Sequence, residues 1–128
     1  MDITKGEIIE FYIDNEIVSV YSININGKKY VVKKGRDINI EGPILEKLTH
    51  PNIIKLYKYN KDEYLLLEYM DDNLFNYIRL VRNLDAILIK SYMWQLLKGL
   101  QYCHKNNIIH LDIKTFSPLA LQEDFINR

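Results

Sequence analysis

Few residues of this chain have the types that carry covalent or proton chemistry, and their spacing decides what they can do. His50, His104 and His110 fall on different elements, and Cys103 sits on an apolar helical stripe. The sequence therefore shows neither a zinc spacing nor a nucleophile beside a base. That leaves carboxylates and ammoniums. Lys33 closes a β-branched run, while Asp112 and Lys114 share the charged turn His110-Leu111-Asp112-Ile113-Lys114. Taken singly, Lys33 reads as a solvated charge at a strand end and Asp112 as a turn residue capping backbone. Any chemistry depends on what the surrounding elements bring together.

Those elements are read in order from composition and period. Ile8 to Tyr12, Ile17 to Ile25 and Lys29 to Lys33 are rich in β-branched and aromatic residues and predict three antiparallel strands. Asp14-Asn15 suits a tight hairpin with positive φ, and Asn26-Gly27 is the strongest short hairpin signal. Gly35 breaks the third strand, and Gly42-Pro43 opens a brief helix from Ile44 to Leu48, since proline is tolerated in a first turn. His50-Pro51-Asn52 makes a turn, then Ile53 to Tyr59 and Tyr64 to Tyr69 read as two strands around Asn60-Lys61-Asp62. Asp71-Asp72-Asn73 offers caps for a helix carrying Leu74, Tyr77, Ile78 and Val81. A longer helix is capped by Asp85, has Ile89, Tyr92, Met93, Leu96, Leu97, Leu100 and Cys103 as one stripe, and ends where Asn106-Asn107 can turn left-handed. Five strands with a helix, followed by helices, make an α+β layout.

Composition narrows the function classes. Seventeen basic residues balance seventeen acidic ones, which removes the general attraction on which nonspecific nucleic-acid binding rests. No apolar run approaches a bilayer span. The start Met1-Asp2-Ile3-Thr4-Lys5-Gly6-Glu7 lacks a signal-peptide layout, and the single Cys103 forms no internal disulfide. The expectation is a reducing intracellular compartment, cytoplasmic or nuclear, with no membrane and no nucleic-acid partner.

The order of elements and the residues at their joints resemble the eukaryotic protein kinase family from its first strand to its catalytic loop, with the likeness strongest to the cyclin-dependent branch. Val31-Val32-Lys33-Lys34 resembles that branch's V-A-L-K-K strand end, and His50-Pro51-Asn52-Ile53-Ile54-Lys55-Leu56 resembles its helix-to-strand turn. Ile89-Lys90-Ser91-Tyr92, Gln95-Leu96-Leu97, Gly99-Leu100 and Cys103-His104 resemble the helix before the catalytic loop, and His110 to Lys114 resembles H-R-D-L-x-x-x-N itself. The resemblance implies an N-lobe over residues 1–70, made of a five-stranded antiparallel sheet plus a short helix C. Residues 71–128 would then be a truncated C-lobe of two helices, the catalytic loop and a divergent tail. It also implies roles. Lys33 grips the α- and β-phosphates of ATP, Asp112 accepts the substrate hydroxyl proton and Lys114 steadies the transferred phosphoryl group. Leu67 is the gatekeeper, backbone around Glu68 and Met70 hydrogen-bonds adenine, and Val31 lies on the adenine ceiling. Glu41, counted back from His50, falls where the family's glutamate pairs with the lysine. Gly42-Pro43 directly behind it, and a Lys33–Glu41 segment about one to two helical turns too short, argue against that pair.

The departures from the family pattern concern phosphate and metal. Phe11 to Glu16 contains no glycine where G-x-G-x-x-G should cover the phosphates, and Asp14 adds negative charge there. Leu111 replaces the arginine, Ser117 occupies the asparagine position that should hold magnesium, and neither D-F-G nor A-P-E follows before Arg128. ATP and magnesium are thus implied by the resemblance and opposed by these substitutions. Three readings follow: a truncated, catalytically impaired Ser/Thr kinase-like protein; a non-catalytic kinase mimic that binds or interferes with another kinase; or a decaying gene remnant. The second uses the Tyr92 to Cys103 helix for a protein partner or self-association, because its apolar faces lack the helices that would cover them.

Overall fold

Runs of β-branched and aromatic residues make five strands within the first seventy positions. A computed structural model, which describes residues 2–70 and 85–108, contains β1 (Glu7–Asp14), β2 (Val18–Ile25), β3 (Lys28–Gly35), β4 (Leu56–Asn60) and β5 (Tyr64–Glu68), all paired antiparallel in the order β1-β2-β3-β5-β4. Helix α1 (Ile38–Glu46) joins β3 to β4, and α2 (Ala86–Lys105) follows the sheet in sequence. The described residues form two compact units, one of 2–47 with 55–69 and one of 48–54 with 70 and 85–108.

In the sheet unit, period-two alternation divides the side chains between two faces. Tyr30 and Val32 of β3 are buried with Tyr21, Ile23, Tyr64 and Leu66 on the outer face, where Ile3 from a short 3-10 turn, Ile3–Lys5, packs against them. Val31 and Lys33 point to the other face, which α1 meets through Lys33. Gly6 lets the N-terminal segment pass close over β2, since a Cβ there would lie 2.5 Å from Ile23 Cδ1. β1 is an edge strand exposed along its whole length, and two register shifts interrupt its ladder, a device that discourages pairing with a foreign strand.

Three local expectations are corrected. The helix after β3 starts at Ile38 instead of Ile44, so Gly42 and Pro43 lie inside it. Proline costs an internal hydrogen bond there, but burial of Ile38 and Leu45 and the fit of Gly42 against Tyr59 outweigh the local penalty. The β1–β2 turn contains no residue with positive φ. Asn15 Oδ1 instead accepts from the N–H groups of Ile17 (2.8 Å) and Val18 (3.0 Å), so the side chain closes the turn. Strand β4 begins at Leu56, because Ile53 is buried in the preceding turn, where its N–H donates to His50 O. Asn26-Gly27 behaves as expected, with φ of 53° and 84° at the two central positions.

In the second unit, Asp85 Oδ1 accepts from Ile87 N at 2.9 Å to cap α2, and Asn107 terminates it with φ of 62°. The buried face differs from the predicted stripe. Leu88, Gln95, Gly99 and Cys103 are buried, while Ile89, Met93 and Leu97 are 44%, 51% and 58% exposed. Counting apolar residues misplaces the face because Gln95, polar by type, is fully buried with its amide satisfied. Its Oε1 accepts from Asn52 Nδ2 at 3.0 Å, and its Nε2 donates to Ser91 Oγ at 3.2 Å. The helix proposed over Leu74 to Val81 lies outside the described residues.

Candidate functional site

Lys33 stands in the middle of β3, opposite Val20 of β2 on one side and Leu65 of β5 on the other. Both ladders fix its backbone, and the pleat turns its side chain to the α1 face. Strand β3 continues to Gly35 and α1 begins three residues later, so one helical turn brings Glu41 onto the helix's inner face beside buried Gly42. The Lys33 Nζ to Glu41 Oε2 distance is 2.6 Å, with each side chain 28% exposed. It is the one ion pair among the described residues. The pair that Gly42-Pro43 argues against is thus formed, because both residues lie inside α1 and Gly42 is what lets the helix sit against the sheet.

Several contacts hold α1 at this distance. A Cβ on Gly42 would meet the Tyr59 ring at 2.7 Å, so only hydrogen fits between helix and β4. Tyr59 Oη donates to Asn39 Oδ1 at 2.7 Å, Asp62 N donates to the same oxygen at 2.9 Å, and Asn39 Nδ2 donates to Asp62 Oδ1 at 2.7 Å. Asn39 thus ties the first turn of the helix to the β4–β5 turn, where Asp62 has φ of 65°. Sequence reading missed Asn39 altogether. A polar residue inside an apolar helix start was its only signal, and its partner lies 23 positions away.

Val31, half-buried, faces Ser22 on one side and buried Leu67 on the other in the sheet register. Glu68 ends β5; its N–H donates to Lys55 O at 2.9 Å and its Oε2 accepts from Lys55 N at 3.1 Å. Its amide hydrogen is therefore committed within the sheet unit. Met70 follows the sheet outside any regular element. Asp112, Lys114 and Ser117 lie outside the described residues. At the β1–β2 hairpin, Asp14 Oδ1 accepts from Ser19 Oγ at 3.3 Å, which places a carboxylate at this turn. Burial pushes the Cys103 thiol up, away from the thiolate a nucleophile needs.

A family model described as the protein kinase domain matches residues 6–120. The chain belongs to the protein kinase domain family. It is 39% identical over 131 residues to cyclin-dependent kinase C-3 of Oryza sativa subsp. japonica, covering 87% of this chain and 39% of that protein. Cyclin-dependent kinase-like 4 of Mus musculus is 36% identical over 65% of this chain and 25% of that protein. Meiosis-specific serine/threonine-protein kinase mek1 of Schizosaccharomyces pombe is 36% identical over 79% of this chain and 24% of that protein. The chain thus spans between about a quarter and two fifths of the length of these relatives. The five-stranded sheet with α1 is the kinase N-lobe, and its relatives include Ser/Thr kinases of the cyclin-dependent branch. No helix among the described residues is long and apolar enough to cross a membrane.

Proposed function

We propose that this chain is a Ser/Thr protein-kinase-like protein that engages ATP through its N-lobe and is impaired in autonomous phosphoryl transfer. The observation that carries the nucleotide half of this reading is the Lys33–Glu41 pair at 2.6 Å. An ammonium on a flexible four-carbon stem is an effective phosphate ligand only when something holds it over the site. Glu41 supplies that hold, and both side chains retain enough exposure to meet a ligand. Val31 and Leu67 share the lysine's face of the sheet and offer an apolar surface to an adenine ring. Backbone polar groups around Glu68 and Met70 are the proposed adenine partners.

The family reaction moves the γ-phosphoryl group of ATP to a protein hydroxyl, and bound magnesium neutralises charge on the β- and γ-oxygens. In this chain Asp112 is the proposed acceptor of the hydroxyl proton and Lys114 the proposed electrostatic partner of the moving group. Against efficient transfer stand Ser117 at the asparagine position, the glycine-free Phe11 to Glu16 hairpin and the Asp14 carboxylate. Each removes or opposes charge stabilisation that the transition state needs.

The test separates binding from transfer. With Mg-ATP about tenfold above its Kd, linkage gives about 1.4 kcal/mol, a rise in Tm of roughly 5 °C for a chain of this size. Lys33→Ala removes the rise and Glu41→Gln reduces it. Labelled phosphate transfer to peptide hydroxyls is expected at less than about a thousandth of the 1–100 s⁻¹ typical of kinases. No thermal shift at millimolar Mg-ATP sinks the binding half; kinase-like turnover sinks the impairment.

The exposed Ile89, Met93 and Leu97, spaced four apart on α2, favour a second reading in which this helix binds another protein, either a kinase or a second copy. Light scattering coupled to size exclusion, with another Ser/Thr kinase domain added, checks it. A monomer that never co-migrates with the added kinase ends this reading.

A further inference from the structure

On the outer face of the sheet, away from Lys33, a cleft of about 670 Å³ opens between the N-terminal 3-10 turn and the β4–β5 hairpin. One wall is Asp2 to Thr4, and the other is formed by Lys58, Asn60 and Glu63; buried Tyr64 and half-buried Ile3 supply apolar surface, and Lys34 completes the lining. Its volume falls in the range of small-molecule sites.

The charges in this cleft are unequally engaged. Asp2 Oδ1 accepts from Thr4 N at 2.9 Å and from Thr4 Oγ1 at 2.6 Å, and these bonds hold its carboxyl below the usual range. Glu63 Oε2 accepts from Asn60 Nδ2. Both carboxylates thus serve the walls. Lys34 and Lys58 have no carboxylate within ion-pair distance among the described residues. Their ammoniums lie 5.7 Å from the Tyr21 ring and 5.8 Å from the Tyr64 ring, respectively. Two ammoniums without anionic partners, beside tyrosine rings and next to an apolar surface, are complementary to an anion carried on an apolar body.

We propose that this cleft binds a phosphomonoester dianion attached to an aromatic or aliphatic group. Lys34 and Lys58 take the phosphoryl oxygens while Tyr64 and Ile3 receive the apolar part. The chemistry is shared by a small phosphorylated metabolite and by a phosphorylated side chain of another protein. Because Lys33 points to the opposite face of β3, the site operates independently of the proposed ATP function.

Phenyl phosphate is the probe, added to the isotopically labelled full chain while amide resonances are followed, with inorganic phosphate and phenol as controls. Saturable shifts at Thr4, Lys34, Lys58 and Tyr64 are expected, with phenyl phosphate at least about fivefold tighter than either control. Lys34→Ala and Lys58→Ala each weaken binding at least about fivefold, the scale of one charge-assisted contact, and the double variant removes it. Both lysines are exposed, so these variants should fold, and unchanged Tm values check that. Lys33→Ala leaves the titration unaltered, which separates this site from the nucleotide site. A phosphotyrosine peptide that binds about tenfold tighter than phenyl phosphate assigns the ligand to a protein side chain, whereas equal affinities assign it to a small molecule. Absence of saturable shifts up to about 10 mM phenyl phosphate, or shifts that persist in the double variant, overturns the proposal.

Discussion

His50 makes its contribution as a neutral ring. Its Nδ1 accepts from Asn52 N–H at 3.0 Å, and its ring lies 5.0 Å from that of Tyr102, whose hydroxyl accepts from Thr49 N–H at 2.9 Å. Burial first, and then the positive charge of Lys98, lower its pKa below the ordinary 6.5. A histidine harder to protonate in the folded chain than in the unfolded chain gives stability that is present above pH 6.5 and lost as pH falls through the lowered folded value. Thermal melts from pH 7.5 down to 5.5 are therefore expected to show a falling Tm, and His50→Gln, which cannot titrate, should flatten that slope. Equal slopes in the two proteins would show that His50 does not supply it. Lys33 presents the opposite situation at the same scale: its type is legible from sequence, but its partner Glu41 is legible only through a family position, because nothing local says that a helix will bring the two together.

Helix α1 carries the clearest conflict between local preference and tertiary fit. Glycine inside a helix costs about 1 kcal/mol relative to alanine, so Gly42→Ala should stabilise α1 if the helix stood alone. Here the added methyl would lie 2.7 Å from a Tyr59 ring whose hydroxyl is already bonded to Asn39. Overpacking of this kind costs about 1–3 kcal/mol. The expected result is a lower Tm and a weaker response to Mg-ATP as Glu41 moves from Lys33; a raised Tm would show that the ring gives way freely. The strands and α2 were legible because β-branched runs, Asn-Gly and Asp85 are local signals. The start of α1 was not, since Gly-Pro is a strong local stop and only burial of Ile38 and Leu45 overrules it. The buried face of α2 was misread for a related reason, as Gln95 becomes a core residue only through Asn52, 43 positions earlier.

At the scale of the molecule, order along the chain and membership of a unit do not coincide. The kinase family could be read from the sequence because the motifs around Lys33, at His50-Pro51-Asn52 and along the helix from Ile89 keep their order, within the 6–120 stretch that the family model matches. The grouping of residues 48–54 with the second unit could not, because β4 follows them directly in sequence and their apolar Ile53-Ile54 reads as strand. The backbone passes between units after Lys47, after Ile54 and again after Tyr69, three crossings in all. Cutting once after Tyr69 therefore cannot liberate the sheet cleanly. A piece made of residues 1–69 would retain all five strands but carry an orphaned loop, with Asn52 parted from Gln95 and Thr49 from Tyr102. Hydrogen exchange should be slow at Val32 and Leu66 in this piece, as in the whole chain, and fast at Asn52 and Ile53; protection retained there would refute the dependence. The sheet is thus not a transplantable part: moved into another protein without α2, it would bring a sticky seven-residue strap.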